Sequence, residues 1–228
     1  MKKQPSKTED TSPSRRNRRK SATKARIVES ALELLSRQEY GATTIEQVTE
    51  AADVGKGTFF NYFPSKEHLL NEVGHEQLEV IQALVEKSLA KPRDTKKVFQ
   101  DLFWKLTTLF ADNPILARNL ILANLGNDSA RELMATNVAD KVRWLARLIK
   151  QGQSLGYIRD KVNPTLAAYW YLDVYYGNLL YWAMEPPSRK KEWLQFSFDQ
   201  FWESVAADSH NIRKTSRSQH AGRADAKR

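Results

Sequence analysis

From Lys24 to Asp208 the apolar residues recur at intervals of three and four, and few stretches alternate at two. That period belongs to helices that each bury one face, and it leaves little room for a sheet. Gly and Pro fall between the periodic runs, where chain breaks belong. The spacing predicts a first helix over about 24–38, with Ile27, Val28, Ala31, Leu32 and Leu35 on one face and Gly41 beyond its end. Thr43-Thr44-Ile45-Glu46 reads as a capping box opening a second helix, with Thr43 as N-cap, Glu46 three residues on, and Ile45, Val48, Thr49 and Ala52 inward. A third helix follows over 56–63, and Pro64-Ser65 caps a longer one over about 66–90. A helix from Pro92-Arg93-Asp94 carries the wide stripe Val98, Phe99, Leu102, Phe103, Leu106, Leu109 and Phe110, and Asn113-Pro114 breaks it. Further helices are predicted over about 115–125, 129–155, 165–184 and 189–207, so the fold class is all-α, with three N-terminal helices followed by six.

The charge is placed at the two ends. Residues 1–26 carry a net +8 and residues 209–228 a net +5, in a chain of net +9, so the body is mildly acidic at −4. A chain that coats nucleic acid with its whole surface would not look like this. Any DNA-binding surface here must be local. Both ends are poor in large apolar residues, so 1–23 and 209–228 are expected to be disordered basic arms, able to solubilise the chain or to touch phosphates. No cysteine is present, which excludes disulfides, zinc-thiolate sites and thiol nucleophiles and fits a reducing cytoplasm. The basic N-terminus runs into no apolar core, so no signal peptide is expected. The 165–184 helix is long enough to span a bilayer, but Asp173 and Asn178 lie in its middle and its tyrosines are spread along it. It reads instead as a helix buried on several sides, with a second subunit among its neighbours.

The function is written between Thr43 and Lys66. Two short helices joined by a tight turn and packed on a preceding helix make a helix-turn-helix, which lays its second helix in the major groove. Lys56 opens that second helix, where side chains reach base edges. Gly57 lets backbone approach DNA, and Thr58 offers a hydroxyl to phosphate. Phe59 and Phe63 are four apart and should pack inward, which leaves Asn61 and Tyr62 outward. Asn pairs bidentately with adenine, whereas Tyr62 and Lys66 suit phosphates. Thr44 lies at the N-terminus of the preceding helix, where free N–H groups favour a phosphate.

Over residues 24–75 the chain resembles the TetR family of regulators. The match centres on Thr-Phe-Phe-Asn-Tyr-Phe-Pro-Ser-Lys-Glu at 58–67, with Thr44-Ile45-Glu46-Gln47-Val48 and Ala51-Ala52 upstream. The resemblance implies DNA contacts at Thr44, Lys56, Gly57, Thr58, Asn61, Tyr62 and Lys66. It divides the chain into a DNA-binding domain over 24–70 and a ligand-binding and dimerisation domain over 71–208. Two positions depart from the family pattern. Asp53 stands where the turn usually has Gly, and Gly55 stands where Ser often caps the recognition helix, which removes a side-chain oxygen.

Residues 94–208 hold eighteen of the twenty-three aromatics, including all six Trp. The resemblance makes this the effector domain. A pocket is expected between the helices at 94–112, 129–155 and 165–184, with Phe103, Trp104, Phe110, Trp144, Tyr171 and Tyr175 as candidate walls for a mostly apolar or aromatic small molecule. The last two helices are expected to pair a homodimer, which a pseudo-palindromic operator on double-stranded DNA requires. The reading is a repressor released by its effector. The other class consistent with the sequence is an architectural DNA binder acting through its tails. Enzyme chemistry finds no support: there is no phosphate loop or nucleophile elbow. No cofactor is expected, and no metal either. His68, Glu72, His75 and Glu76 share a helical face but read as solvated surface.

Overall fold

The computed structural model describes residues 15–111, 113–126, 128–184 and 189–208. Among these residues there are nine helices: α1 (Arg15–Leu35), α2 (Ile45–Ala51), α3 (Lys56–Phe60), α4 (Lys66–Ala90), α5 (Thr95–Ala111), α6 (Pro114–Leu125), α7 (Asp128–Ser154), α8 (Pro164–Met184) and α9 (Lys190–Val205). The fold is all-α, as the periodicity requires. The backbone pairing between Ile158 and Ala206 is an isolated bridge that ties the α7–α8 link to the end of α9.

Two apolar clusters organise the helices. The smaller holds Ile27, Val28, Ala31, Val48, Ala52, Phe59, Phe63 and Leu69, from α1 to α3 and the start of α4. The larger fills the space between α4 and α9 and is built largely from α5, α7, α8 and α9, with Phe99, Leu145, Tyr171 and Phe201 deep inside it. The α4 helix runs through both, since Leu69 joins the first while Leu70, Ile81 and Val85 join the second. Leu32 touches both clusters from α1. Within the larger, α4 and α7 lie side by side, and α8 packs on α5, α6, α7 and α9.

Three expectations are corrected. The basic arm predicted over 1–23 is helical from Arg15 onward, while residues 1–14 and the tail at 209–228 lie outside the described residues. Arg15–Ala25 bury no apolar face, but Arg, Lys and Ala have high helix propensity and extend a helix already nucleated by the packed face from Ile27 onward. The α2 cap is one residue later than predicted. Thr44 is the N-cap, its hydroxyl accepts from Gln47 N, and the Gln47 side chain closes the box on the Thr44 amide. Both registers satisfy the pattern, and packing decides between them: Thr43 is buried and its hydroxyl donates to the Glu39 carbonyl. Finally, α3 ends at Phe60, and Asn61 to Phe63 form a turn before Pro64.

Candidate nucleic-acid interface and effector cleft

The α2–α3 unit turns on Asp53, which takes a left-handed backbone at φ 51°. A short polar side chain tolerates that region better than most, though less well than glycine. Gly55 caps α3 without a side-chain hydrogen bond, so α3 starts with free N–H groups. Phe59 is fully buried and meets Phe63 at 5.7 Å between ring centroids. Because these two rings anchor one face, the other is left to Lys56, Gly57 and Asn61, all exposed. Thr58 and Tyr62 are half-buried at the edges of that face, the Tyr62 ring lying 6.4 Å from Phe63. Phe60 is 51% exposed beside them, an outward aromatic to which the sequence reading gave no role.

A surface groove of about 510 Å³ brings Thr44, Lys56 and Lys66 together with Glu46 and Phe60. Within it Lys56 Nζ lies 2.5 Å from Glu46 Oε1, and that ammonium holds the fully exposed carboxyl below its ordinary range. Lys66 has a different role. Its Nζ donates to the carbonyls of Tyr40 and Thr43, at 2.8 Å each, and sits 3.9 Å from the centre of the Tyr40 ring. Two of its three protons therefore fasten the loop between α1 and α2, one remains, and partial burial lowers its pKa. The Tyr40 hydroxyl in turn donates to Glu67.

That same loop is held also from α6. Asn119 of α6 is buried; its amide donates to the carbonyls of Leu35 at 2.7 Å and Gln38 at 2.8 Å, and its oxygen accepts from Tyr40 N at 2.9 Å. One side chain thus satisfies three backbone groups at the C-terminal end of α1.

The neighbouring residue, Leu120, opens into a cleft. Its inner part, about 50 Å³, is lined from α4 by Asn71, Gly74 and Gln77 and from α7 and α8 by Asn137, Lys141, Tyr175 and Tyr176. Its outer part, about 190 Å³, is apolar and borders the first, the two sharing Leu120, Met134 and Leu179 in their walls. A cavity of roughly 150 Å³ with aliphatic walls accepts benzene, so the space suits a small organic molecule. Gly74 keeps the inner end open, since a Cβ there would meet Asn137 Nδ2 at 2.9 Å.

Of the six walls expected from sequence, Phe110 and Tyr175 line this cleft. Phe103 and Tyr171 are packed in the aromatic core around Phe99, Phe198 and Phe201, where the Tyr171 hydroxyl donates to the Phe99 carbonyl. Trp104 and Trp144 lie outside the cleft lining, half-buried at the edge of that core, with the Arg147 guanidinium 4.3 Å from the Trp144 ring centre. Sequence reasoning missed Gln77, Lys141 and Tyr176. Lys141 did leave a signal, because it falls in register with Val138, Leu145 and Leu148 on the apolar stripe of α7.

Among the described residues no cluster could hold a metal ion. Of the four side chains considered for one, Glu72 accepts from Lys24, His75 faces Glu79 and His68 bonds Ser65. No described helix is long and apolar enough to cross a membrane.

Residues 27–73 match the model of bacterial regulatory proteins, tetR family. The HTH-type transcriptional repressor KstR of Mycolicibacterium smegmatis is 28% identical over 182 residues, covering 78% of this chain and 82% of that protein. The HTH-type transcriptional repressor DhaR of a Mycobacterium species is 24% identical over 191 residues, covering 82% and 93%. The solved structure of FadR from Bacillus subtilis, in complex with stearoyl-CoA, superposes with a TM-score of 0.59 over 76% of this chain and 97% of that one. Its sequence identity is 18%, and the likeness is one of fold.

Proposed function

This chain belongs to the TetR family of DNA-binding transcriptional regulators, and on that footing we propose that it is a dimeric repressor released from a pseudo-palindromic operator by a small, mostly apolar effector. The observation that carries the reading is the division of α3, with Phe59 locked inside and Lys56, Gly57 and Asn61 turned out. In this reading α3 enters the major groove. Lys56 and Asn61 read base edges, and Gly57 allows the close approach. Thr44, Thr58, Tyr62 and the remaining Lys66 proton hold phosphates, and Phe60 offers an apolar ring to a thymine methyl.

Two-fold pairing runs through α8 and α9. Tyr169, Trp170, Tyr181, Trp193 and Phe196 stand exposed there, and Trp170, Tyr181 and Trp193 line a groove at Gly177, where a Cβ would meet nothing within 4 Å. An exposed aromatic surface of this extent is unusual on a monomer and suits a second copy. KstR and DhaR are both named repressors, which supports the sign of regulation. The stearoyl-CoA held by FadR supports release by a small molecule. The cleft touches α4, which continues into the DNA-binding unit, and it lies one residue from the Asn119 clamp. A ligand preferring one position of α4 and α6 would therefore shift the separation of the two recognition helices.

The test is selection of bound genomic fragments with the full chain, with sedimentation to measure its assembly state. One enriched sequence with half-sites roughly 34 Å apart and a dimeric protein are expected. The double substitution Lys56→Ala and Asn61→Ala costs about 1–3 kcal/mol of binding per base contact and relaxes specificity. Removing residues 1–23 weakens binding evenly across sequences. No enrichment, a monomer, or a double variant that binds as before would overturn the reading.

A further inference from the structure

The inner end of the cleft is lined by an ammonium, two phenols and several carboxamides, and by no carboxylate. Lys141 is 2% exposed, and among the described residues no carboxylate pairs with it. Its ammonium donates to Gln77 Oε1 at 2.9 Å and approaches the Tyr176 hydroxyl at 3.4 Å, which leaves a third N–H. The Gln77 amide is then oriented with its NH₂ toward the Tyr175 hydroxyl, at 2.8 Å. Both phenol oxygens are therefore used as acceptors, and among the described residues neither phenol proton has an acceptor of its own. Among the described residues one ammonium N–H and two O–H groups of residues lining the inner cleft thus lack an acceptor, the ammonium lying 5.9 Å from the centre of the Tyr176 ring. A buried ammonium without a counter-charge is costly, and interiors rarely keep one without a use. Burial lowers the Lys141 pKa to about 8, so the group still carries its charge at neutral pH.

We propose that the cleft takes a small carboxylate with an apolar tail, its charged end between Lys141, Tyr175 and Tyr176 and its tail along Leu120, Met134 and Leu179. The inference rests on the effector-released regulator described above and names the chemistry of that effector. The three donors match the acceptor sites of one carboxylate, and charge-assisted hydrogen bonds in a dry site are the strong kind. The outer walls carry no charge to receive a second anionic group. A ligand so placed touches α4 through Gln77, beside the helix that leads to the recognition unit.

Titration of the full chain with hexanoate, octanoate and decanoate against hexanol, octanol and decanol, by calorimetry, tests this. At least one acid is expected to saturate, and to bind on the order of tenfold or more tightly than its alcohol. Lys141→Met is expected to erase that preference while melting no lower than the parent, since it removes a buried charge. Should that variant fail to fold, Tyr176→Phe keeps the ring and removes one donor. It is expected to weaken the acid severalfold and leave the alcohol unchanged. Acids that do not saturate, acids and alcohols that bind alike, or a preference that survives both substitutions would overturn the inference. Fragment selection without ligand separates the two readings. Enriched DNA with no acid binding leaves the regulator standing without this effector. Acid binding with no enriched DNA leaves a carboxylate-binding protein that is not the regulator described.

Discussion

The small apolar cluster around α1–α3 closes on itself, whereas the large cluster between α4 and α9 does not. In the first, Phe59, Phe63, Val48 and Ile27 are buried in one cluster, and Lys56, Gly57 and Asn61 are left on the outside. In the second, the aromatic packing around Phe99 and Tyr171 is dense, but the corner between α4, α6, α7 and α8 stays open and holds Lys141, Gln77 and two tyrosines. One region works through what its core excludes, the other through what its core fails to fill. Damage should therefore travel differently in the two. A hole in the closed cluster removes the outer surface with it, while a change in the open corner alters ligand chemistry and spares the fold.

Phe59→Ala gives the largest effect. It should cost about 3–5 kcal/mol and abolish DNA binding together with the N-terminal helical signal, measured by denaturant unfolding and gel shift. If DNA binding survives, the outer surface does not depend on the closed core and the contrast fails.

Asn119→Ala strikes the seam between the regions. Three backbone partners lose their bonds, and a loss of about 2–3 kcal/mol is expected in the same unfolding experiment. Because the clamp lies one residue from the cleft, the difference in DNA affinity with and without effector should also shrink.

The open corner should announce itself through pH. Lys141 has a folded pKa of about 8 against an ordinary 10.5, so between those values the unfolded chain holds more protons and stability rises with pH. The titratable groups facing it are Tyr176, pushed up to about 12, and Tyr175, pushed higher, so both stay protonated through that window. Comparing melting against pH for the parent and Lys141→Met should give a gap that closes by on the order of 2–3 kcal/mol from pH 8 to 10. A constant gap would mean that the amine is not desolvated. Carboxylate affinity should fall across the same window as the ammonium discharges.

The smallest effect concerns Glu46, whose carboxylate holds Lys56 at the mouth of the groove. Glu46→Gln frees that ammonium and removes a negative charge from the groove beside α3. Operator affinity should rise slightly, more at low salt than at high, as expected of an exposed pair.

Much of the first region was legible in the chain itself. The inward pair Phe59 and Phe63, the turn at Asp53 and the uncapped Gly55 all follow from helical spacing and local backbone chemistry. The misplaced cap marks the limit of that reading, because Thr43 and Thr44 offer the same pattern and burial of Thr43 chooses between them. The second region was legible only as helices. Phe103, Trp104, Trp144 and Tyr171 read as candidate walls because the polar atoms of buried Tyr and Trp need partners, yet aromatic rings more often fill cores, and spacing along one helix cannot separate the two. Lys141 was the better clue, a charge standing in an apolar stripe.

Order along the chain determined which faces of each helix avoid water, and with that the all-α class, the breaks between helices and which residues of α3 face outward. These follow from period and turn chemistry, which act over a few residues. Only the assembled bundle decided where helices fail to meet, which amide of α6 reaches the end of α1, and that one lysine would lie beside two tyrosines without a carboxylate. Those outcomes depend on distances between residues far apart in the chain, set by how whole helices pack against one another.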